Sequence, residues 1–349
     1  MARIISMQVQ ENISLKPYNT FGINTQTKYF AGVNSADDLQ ALISNSKFQI
    51  SNLILGGGSN ILLTKDFNGL VIKNEIKGIE ELHEDPDHVY IKVGAGENWH
   101  QFVMHCIDHN WAGVENLSLI PGNVGAAPMQ NIGAYGVELR EVFWNLEAFD
   151  IKEKHIRTFT LSDCEFGYRE SVFKKKYKNK FVILSVTFRL HKHPIFHTSY
   201  GDIVKELEKM QVKDLSIKAI SQAVINIRSS KLPDPAVIGN AGSFFKNPSV
   251  SKEKYETLKA KFENIVAYPN IDGSVKLAAG WMIDQCGPQD SVRWKGFRRG
   301  DAGVHAKQAL VLVNYGNATG KEIYKLSEEI LQSVKEKFGV VLEREVNVV

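Results

Sequence analysis

Short apolar runs separated by amphipathic stretches organise the start of this chain. The apolar runs 28–33 and 52–55 predict strands, and the stretch 35–46 between them predicts a helix. Ser35 takes the N-cap position of that helix, and Asp38 stands three residues later, as in a capping box. The predicted order at the start of the chain is therefore strand, helix and strand.

The same reading extends along the rest of the chain and shows no internal repeat. Further strands are predicted at 61–63, 70–73, 89–93, 142–149, 155–159, 181–190, 309–314 and 341–348. Further helices are predicted at 97–109, 203–210, 216–230, 252–262, 276–286 and 319–337. Thr319 and Glu322 cap the last helix. Two prolines in 231–235 stop a helix there and mark the preferred domain boundary.

Two segments break this pattern because they are rich in glycine. Residues 56–60 read GGGSN and follow a predicted strand, while 120–136 contain two prolines and no charged side chain. Glycine lets the backbone approach a ligand closely, and phosphate-binding loops tend to follow strands. Both segments could instead be ordinary turns between strands.

Neither segment matches a standard nucleotide motif. A G-x-G-x-x-G fingerprint that starts at Gly56 would need glycine where Ile61 stands, and one that starts at Gly94 would need it where Trp99 stands. A P-loop would need a glycine–lysine–serine or –threonine triplet, and none follows. A phosphate could bind at 56–60, but not by the Rossmann or P-loop scheme.

Composition narrows the class of protein. With 349 residues, 43% of them hydrophobic and 23% charged, and a net charge of +3, the chain is typical of a globular protein of two or three domains that does not bind nucleic acid. No apolar run approaches the roughly 20 residues that span a bilayer, and residues 1–17 lack the core of a signal peptide. Cys106, Cys164 and Cys286 have no metal-ligand spacing and suit a reducing compartment. We therefore expect a cytoplasmic protein without a metal.

Polar side chains in three segments with glycine-bounded or apolar settings are candidates for chemistry. Arg169 follows Tyr168, and its planar fork suits a carboxylate, although a surface arginine is the alternative. Ser243 stands between a glycine and two phenylalanines without forming a G-x-S-x-G elbow, so it could also be a buried structural serine. Glu343 and Glu345 share one face of the predicted terminal strand, where either could be a surface acid.

Together these segments resemble the UDP-N-acetylenolpyruvoylglucosamine reductases, the flavoenzymes that make UDP-N-acetylmuramate for peptidoglycan. The likeness covers nearly the whole chain and is therefore more specific than any single glycine motif. The segment at Tyr200 is similar to the type I branch, which carries an extra loop with a substrate-binding tyrosine. Arg344 departs from the pattern, since proline is common there. The matching segments are 15–22, 53–60, 94–100, 120–136, 166–173, 231–235, 240–248, 272–281, 304–305, 308–312 and residue 345.

The resemblance implies a fold and a division into domains. The fold is the vanillyl-alcohol-oxidase/PCMH-type FAD-binding fold, with two α+β subdomains and a C-terminal α+β substrate-binding domain. Residues 1–77 would form the first subdomain, to which the strand at 341–349 could return. Residues 78–230 would form the second subdomain, including the tyrosine loop near 200, and 231–340 the substrate domain.

The resemblance also implies that FAD lies between the two glycine loops. Its pyrophosphate would be held by backbone amides, as in an anion nest. Attachment would be non-covalent because neither loop contains cysteine or histidine. The implied cofactor-binding residues are Gly56, Gly57, Gly58, Ser59, Asn60, Pro121, Gly122, Gly125, Asn131, Gly133 and Tyr135.

The implied reaction has two halves. Hydride passes from NADPH to FAD, and then from reduced flavin to the vinyl carbon of UDP-N-acetylglucosamine enolpyruvate. In the resemblance Arg169 and Glu345 stabilise the developing charge, and Ser243 supplies the proton. The implied substrate-binding residues are Tyr168 and Asn247 near the enolpyruvyl group and Lys231, Tyr200 and Gln308 near the UDP moiety. The expected partners are NADPH and UDP-N-acetylglucosamine enolpyruvate. No membrane and no nucleic acid are expected as partners, and the protein would be a monomer.

Two other functions stay open at this point. A sugar or lactone oxidase of the same flavin fold would use O₂ and need no pyridine nucleotide. A non-catalytic nucleotide-sugar sensor would bind UDP compounds without turnover.

Overall fold

The structure is a computed structural model that describes residues 8–48, 50–288 and 293–349. The chain divides into two compact units. The first unit contains the described residues up to Ile13, together with Thr27–Gly58 and Phe67–Ser230. The second unit contains Ser14–Gln26, Ser59–Asp66 and Lys231–Val349. The three-domain division inferred from the sequence stays a prediction.

The described residues form both strands and helices. The strands are β1 Gln10–Ser14, β2 Gln26–Val33, β3 Asn52–Leu55, β4 Ile61–Leu62, β5 Phe67–Asn74, β6 Ile79–Glu84, β7 His88–Gly94, β8 Gly133–Ala134, β9 Val137–Glu138, β10 Phe143–Asp150, β11 Ile156–Thr160, β12 Phe181–His191, β13 Gly239–Asn240, β14 Ser249–Val250, β15 Ala267–Pro269, β16 Val275–Leu277, β17 Arg298–Arg299, β18 Ala302–Val304, β19 Leu312–Asn314 and β20 Asn347–Val348. The helices are α1 Ala36–Ser44, α2 Trp99–Asp108, α3 Ile203–Lys209, α4 Ile217–Lys231, α5 Lys252–Lys261, α6 Ala279–Asp284 and α7 Gly320–Phe338.

A four-stranded sheet in the order β1-β2-β5-β3 opens the first unit, and β5 pairs in parallel with β2 and β3. Helix α1 buries Leu39 and Leu42 in the same core as Leu70 of β5. The predicted cap is confirmed, because Ser35 Oγ accepts from the main-chain N–H of Asp38 at 3.1 Å.

The second sheet of this unit is antiparallel, in the order β11-β10-β12-β7-β6. The hairpin of β10 and β11 confirms the prediction for 142–159. Helix α2 begins at Trp99, two residues later than predicted, because Asn98 is its N-cap and accepts from Gln101 N at 3.0 Å. Trp99 and Phe102 are fully buried against Phe188 of β12.

Two sheets and a long helix define the second unit. The sheets run β13-β19-β18-β17 and β14-β16-β15. Helix α7 has the predicted capping box, in which Thr319 and Glu322 each accept from the other's main chain. It ends at Gly339, whose φ of 61° is the left-handed conformation of a C-terminal glycine.

Three predicted boundaries in this unit are wrong. Residues 275–277 form strand β16 because they pair with β14 and β15, so α6 begins only at Ala279. Strand β19 is shorter than predicted because a turn closed by Val311 N and Gln308 O precedes it. The terminal strand is reduced to β20, which pairs in parallel with β4, while the bridge between Phe245 and Arg344 is isolated.

Two observations bear on compartment. Cys106, Cys164 and Cys286 are free and buried. Among the described residues, no helix combines the length and apolar character that crossing a membrane requires. The cytoplasmic location stays a prediction.

Candidate active site

Two of the predicted loops meet in the first unit through their main chains. A Cβ atom at Gly57 would lie 2.8 Å from the Cα atom of Gly122 and 2.9 Å from Asn123 Oδ1. Gly122 has a φ of 116°, which favours glycine. The loop after β3 and the loop at 120–136 therefore approach each other so closely that a residue with a side chain would clash at Gly57.

The segment 94–99 holds the loop at 120–136 in place by hydrogen bonds and close packing. A Cβ atom at Gly125 would lie 2.5 Å from the Cβ atom of Ala95, so this contact is also closed to a side chain. Gly96 thus contacts the loop at 120–136, although this segment forms no dinucleotide motif. The hydrogen bonds are Trp99 N to Gly122 O at 3.0 Å, Val124 N to Glu97 O at 2.8 Å, Gly125 N to Ala95 O at 2.9 Å and Asn123 Nδ2 to Gly96 O at 2.9 Å.

Lys73 supplies a positive charge at the first loop. Its Nζ atom donates to Gly56 O at 2.5 Å, and burial lowers the pKa of the half-buried ammonium against the opposing effect of Glu75. Interlocked glycines beside an ammonium suit an anionic group such as a diphosphate. The sequence signal was a lysine within the apolar strand at 70–73, and our sequence reasoning missed it.

The side-chain amide of Asn131 is buried and makes its hydrogen bonds within the protein. It is 0% exposed, with a φ of 41°. Its Nδ2 atom donates to Glu138 Oε2 at 2.9 Å and to Gly167 O at 3.1 Å, and its Oδ1 atom accepts from Arg140 N at 3.1 Å. Because its amide is engaged within the protein, any contact with a cofactor would come from its main chain.

Asn131 also holds the turn that carries Arg169, through its hydrogen bond to Gly167 O. Main-chain hydrogen bonds between Gly167 and Glu170 close a tight two-residue hairpin, with Arg169 at a φ of 55°. The guanidinium lies 5.2 Å from the ring centroid of Tyr168 and donates to Gly133 O in the second glycine loop. The structure therefore joins Tyr168, Arg169 and Gly133, three residues predicted separately.

Tyr135 and Tyr200 also come together. A Cβ atom at Gly136 would lie 3.2 Å from Tyr200 Cβ, and one at Gly201 would lie 3.7 Å from Tyr135 Cδ1. Each tyrosine thus packs on the glycine beside the other. Tyr200 is 44% exposed, which leaves its outer part accessible.

In the second unit, Ser243 and Glu345 lie on neighbouring segments. Glu345 N donates to Phe244 O at 2.9 Å, and Phe244 N donates to Leu310 O at 2.8 Å. Phe244 and Phe245 are buried, so the segment after Ser243 is anchored in the core. This arrangement fixes the main chain on which both candidate groups are carried.

Asn60 contacts the terminal segment that carries Glu345. Its side-chain Nδ2 atom donates to Glu345 O at 3.3 Å, and its main-chain oxygen accepts from Asn347 N at 3.1 Å. Asn60 and Ser59 belong to the second unit, whereas Gly56–Gly58 belong to the first. One predicted cofactor residue therefore contacts the segment of a predicted catalytic residue.

The two glutamates of the terminal segment differ in their surroundings. Lys246 is 6% exposed, and its Nζ atom lies 2.6 Å from Oε1 of Glu343, whose side chain is 69% exposed. The main chains of the pair are joined as well, by Lys246 N and Glu343 O at 2.9 Å. Glu343 thus has a structural ion-pair role, which period-two alternation could not distinguish from that of Glu345.

Asn247 and Gln308 meet at the start of α6. Asn247 Oδ1 accepts from Ala279 N at 2.9 Å, and a Cβ atom at Gly280 would lie 3.1 Å from Gln308 Oε1. Two residues predicted as substrate ligands from sites 61 positions apart in the sequence thus face one helix terminus. Lys231, at the end of α4, is exposed.

Sequence comparisons identify relatives over the full length. The chain is 52% identical over 344 residues to the UDP-N-acetylenolpyruvoylglucosamine reductase of Amoebophilus asiaticus, covering 98% of this chain and 100% of that relative. It is 50% identical over 345 residues to the same-named protein of Flavobacterium johnsoniae, covering 98% and 100%. This chain belongs to the UDP-N-acetylenolpyruvoylglucosamine reductase family.

Family profiles and a solved structure agree with this family. The profile for the reductase C-terminal domain matches residues 234–349, and that for an FAD binding domain matches 27–158. The crystal structure of the Thermus caldophilus UDP-N-acetylenolpyruvylglucosamine reductase aligns with a TM-score of 0.67 at 23% identity, covering 98% of this chain and 99% of that one. The predicted α+β flavin-binding fold and the FAD cofactor are thereby confirmed, and the chain is a flavin-dependent oxidoreductase.

The interlocked glycines of the first unit lie in segments that matched the family motifs. Arg169, in this unit, and Ser243 and Glu345, in the second, hold the positions that matched the family motifs. Our sequence reasoning missed the contacts of Lys73 and Lys246 and the buried hydrogen bonds of Asn131, because each depends on residues distant in sequence. The role of each predicted site residue stays a prediction.

Proposed function

We propose that this protein reduces UDP-N-acetylglucosamine enolpyruvate to UDP-N-acetylmuramate with NADPH as the reductant. The observation that carries the proposal is full-length identity of 52% to a reductase of that name. The structure supports it because residues at the family's motif positions are anchored by buried main-chain contacts. We also propose the division into domains at 1–77, 78–230 and 231–340.

Bound FAD would accept hydride from NADPH and supply it to the vinyl carbon of the substrate. The chain would hold its diphosphate with the glycines of the two loops, close to the ammonium of Lys73. Ser59, Asn60 and Pro121 are further proposed contacts. Gly133 lies next to Arg169, and Tyr135 lies next to Tyr200. Gly133 and Tyr135 would contact the part of FAD nearest the reacting atoms.

Arg169 would stabilise the negative charge that spreads into the substrate carboxylate. Its hydrogen bond to Gly133 O and the hairpin at 167–170 fix the direction of its fork before substrate arrives. Fixed donors aimed at developing charge are worth about 3–4 kcal/mol each. Tyr168 lies against the guanidinium and would contact the enolpyruvyl group.

Ser243 would give the proton that completes the reaction at the carbon next to the carboxylate. A serine hydroxyl is a weak acid, but position matters more than pKa when it faces a strong base. Glu345 would be the second stabilising group. The ion pair of Glu343 with Lys246 supports the choice of Glu345 over its neighbour.

The remaining contacts concern substrate binding. Asn247 uses its Oδ1 atom on Ala279 N, so its Nδ2 atom is the group it would offer to the enolpyruvyl moiety. Lys231, Tyr200 and Gln308 would bind the UDP portion, with Lys231 as the charge partner of the diphosphate. We propose that the protein acts as a monomer.

Anaerobic titration tests the proposal. Purified holoprotein should lose its visible flavin absorbance on addition of NADPH and recover it stoichiometrically on addition of UDP-N-acetylglucosamine enolpyruvate. UDP-N-acetylglucosamine, which lacks the vinyl group, is the matched control and should not restore the absorbance. Reoxidation by O₂ alone with peroxide release would favour an oxidase, and UDP binding by a colourless protein would favour a sensor.

A further inference from the structure

A buried amide joins two loops of the first unit. Asn116 lies in the short helical turn Glu115–Leu117 and is 1% exposed. Its Nδ2 atom donates to Tyr135 O at 2.9 Å and to His197 O at 2.8 Å. Tyr135 belongs to the glycine loop, and His197 precedes Tyr200 by three residues, so one side chain spans both segments.

Tyr200 lies three residues after the anchored carbonyl of His197. Its Cβ atom packs on Gly136, where a methyl group would come within 3.2 Å. The residue is nevertheless 44% exposed, so packing of the ring cannot by itself fix where it points. The hydrogen bond from Asn116 Nδ2 to His197 O is therefore one constraint on the approach of this loop.

The turn that carries Asn116 is itself rigid. Glu115 Oε2 accepts from Gly113 N at 2.6 Å, and Ser118 Oγ donates to Glu115 O at 2.7 Å. Ser118 also shares a hydrogen bond of 2.8 Å with Ser221 of α4. The anchor point thus stays in place when the loops attached to it are perturbed.

We propose that Asn116 is a positioning residue that holds the Tyr200 loop on the glycine loop and so sets the affinity for the nucleotide sugar. This inference rests on the proposed function, which assigns Tyr200 to the substrate. Asn116 is not in the sequence motifs that indicated the site. Among the described residues its buried Oδ1 atom has no hydrogen-bond partner, so the contribution of the side chain comes from its two donors.

Donor chemistry dictates the choice of variants. Asn116→Ala removes both donors, and Asn116→Asp replaces them with oxygen that faces two carbonyl oxygens. Either change should raise the KM for the enolpyruvyl nucleotide sugar by roughly tenfold, the loss of one to two net hydrogen bonds. The rate of flavin reduction by NADPH should change less than about twofold.

Asn74 provides a matched control in the same unit. It is 5% exposed, and its Nδ2 atom donates to Ile183 O at 2.8 Å, which ties β5 to β12 instead of tying the two loops. Asn74→Ala should therefore lower the thermal midpoint about as much as Asn116→Ala without raising this KM. A structural role alone would predict equal KM values in both variants.

Limited proteolysis gives a readout that is independent of turnover. Chymotrypsin should cleave the holoprotein at Phe196 and Tyr200 several-fold faster in the Asn116 variants than in wild type or Asn74→Ala. If Asn116→Ala does not fold, Asn116→Ser, which keeps one donor, should show intermediate cleavage and an intermediate KM.

Unchanged KM and cleavage in folded Asn116 variants would overturn the inference, as would an equal KM rise in Asn74→Ala. If the wild-type protein fails to reduce the enolpyruvyl substrate, the proposed function fails instead. The proteolysis comparison would still decide whether Asn116 holds the loop.

Discussion

The glycine loops of the first unit and the Ser243–Glu345 region of the second unit are built in opposite ways. At Gly57 and Gly122 main chain meets main chain, and a single methyl group would come within 2.8 Å of a backbone atom. Around Ser243 the backbone is instead held by the large buried side chains of Phe244 and Phe245 and by a main-chain hydrogen bond from Glu345 N to Phe244 O.

The difference teaches what each region can tolerate. A cradle of interlocked glycines has no side chain to remove, so it is disrupted by adding atoms. A region whose backbone is held from the core keeps its shape when an outward side chain is truncated, so such a change tests chemistry rather than folding. Each prediction below compares these two kinds of sensitivity.

The largest effect is expected for Ser243→Ala. Flavin reduction by NADPH should stay rapid, while reoxidation by the enolpyruvyl substrate should slow by roughly 10²–10⁴-fold, the usual contribution of a positioned proton donor. Stopped-flow absorbance separates the two steps. Ser249→Ala, another serine of the second unit, is the control. Normal reoxidation in Ser243→Ala would remove it from the proton-donor role.

Arg169→Lys should slow the second half-reaction by roughly 10²-fold or more, because an ammonium keeps the charge but loses the planar fork. Arg140→Lys is the control, since that arginine is half exposed and pairs with Glu138. Single-turnover reoxidation is the measurement. A lysine variant with wild-type reoxidation would show that charge alone is needed.

Gly57→Ala should weaken FAD retention by roughly 10–100-fold, because the new methyl group overlaps the backbone of Gly122. At Gly56 a Cβ atom would meet nothing nearer than 3.7 Å, so the protein itself can accommodate Gly56→Ala. Equilibrium dialysis of flavin compares the two variants. Equal retention by both would contradict the interlocked cradle.

Lys73→Met tests the positive charge beside the cradle. Removing its hydrogen bond to Gly56 O and its charge should weaken FAD binding by roughly tenfold, with little change in the rate of reoxidation by substrate. Flavin fluorescence during dilution measures the loss. An unchanged dissociation constant would restrict Lys73 to packing.

The smallest effect is expected outside both regions, at Asp85. Hydrogen bonds from the backbone N–H of Asp87, and then those of His88 and the Tyr90 hydroxyl, lower the pKa of this carboxyl to about 2. Its contribution is therefore fully present above the unfolded pKa and is lost as pH falls towards 2. Asp85→Asn should lower the thermal midpoint slightly at pH 7. A difference that persisted unchanged below pH 2 would contradict this origin.

Local chemistry by itself determined much of this protein. The caps at Ser35 and Thr319, the stop at Gly339 and the hairpin at 142–159 follow from contacts within a few residues, so the sequence predicts them. The family motifs, read in order, identified the flavin fold and the candidate catalytic residues. Glycine identity also indicated where backbone would approach backbone, without naming the partner.

Only the tertiary structure decided which distant residues meet. It paired Gly57 with Gly122, engaged Glu343 with Lys246, and placed Lys73 on Gly56 O. It also shortened the terminal strand, because regular pairing is available to Asn347–Val348 alone within 341–348. These outcomes depend on loop closure and on competition for partners across the fold, which local periodicity does not contain.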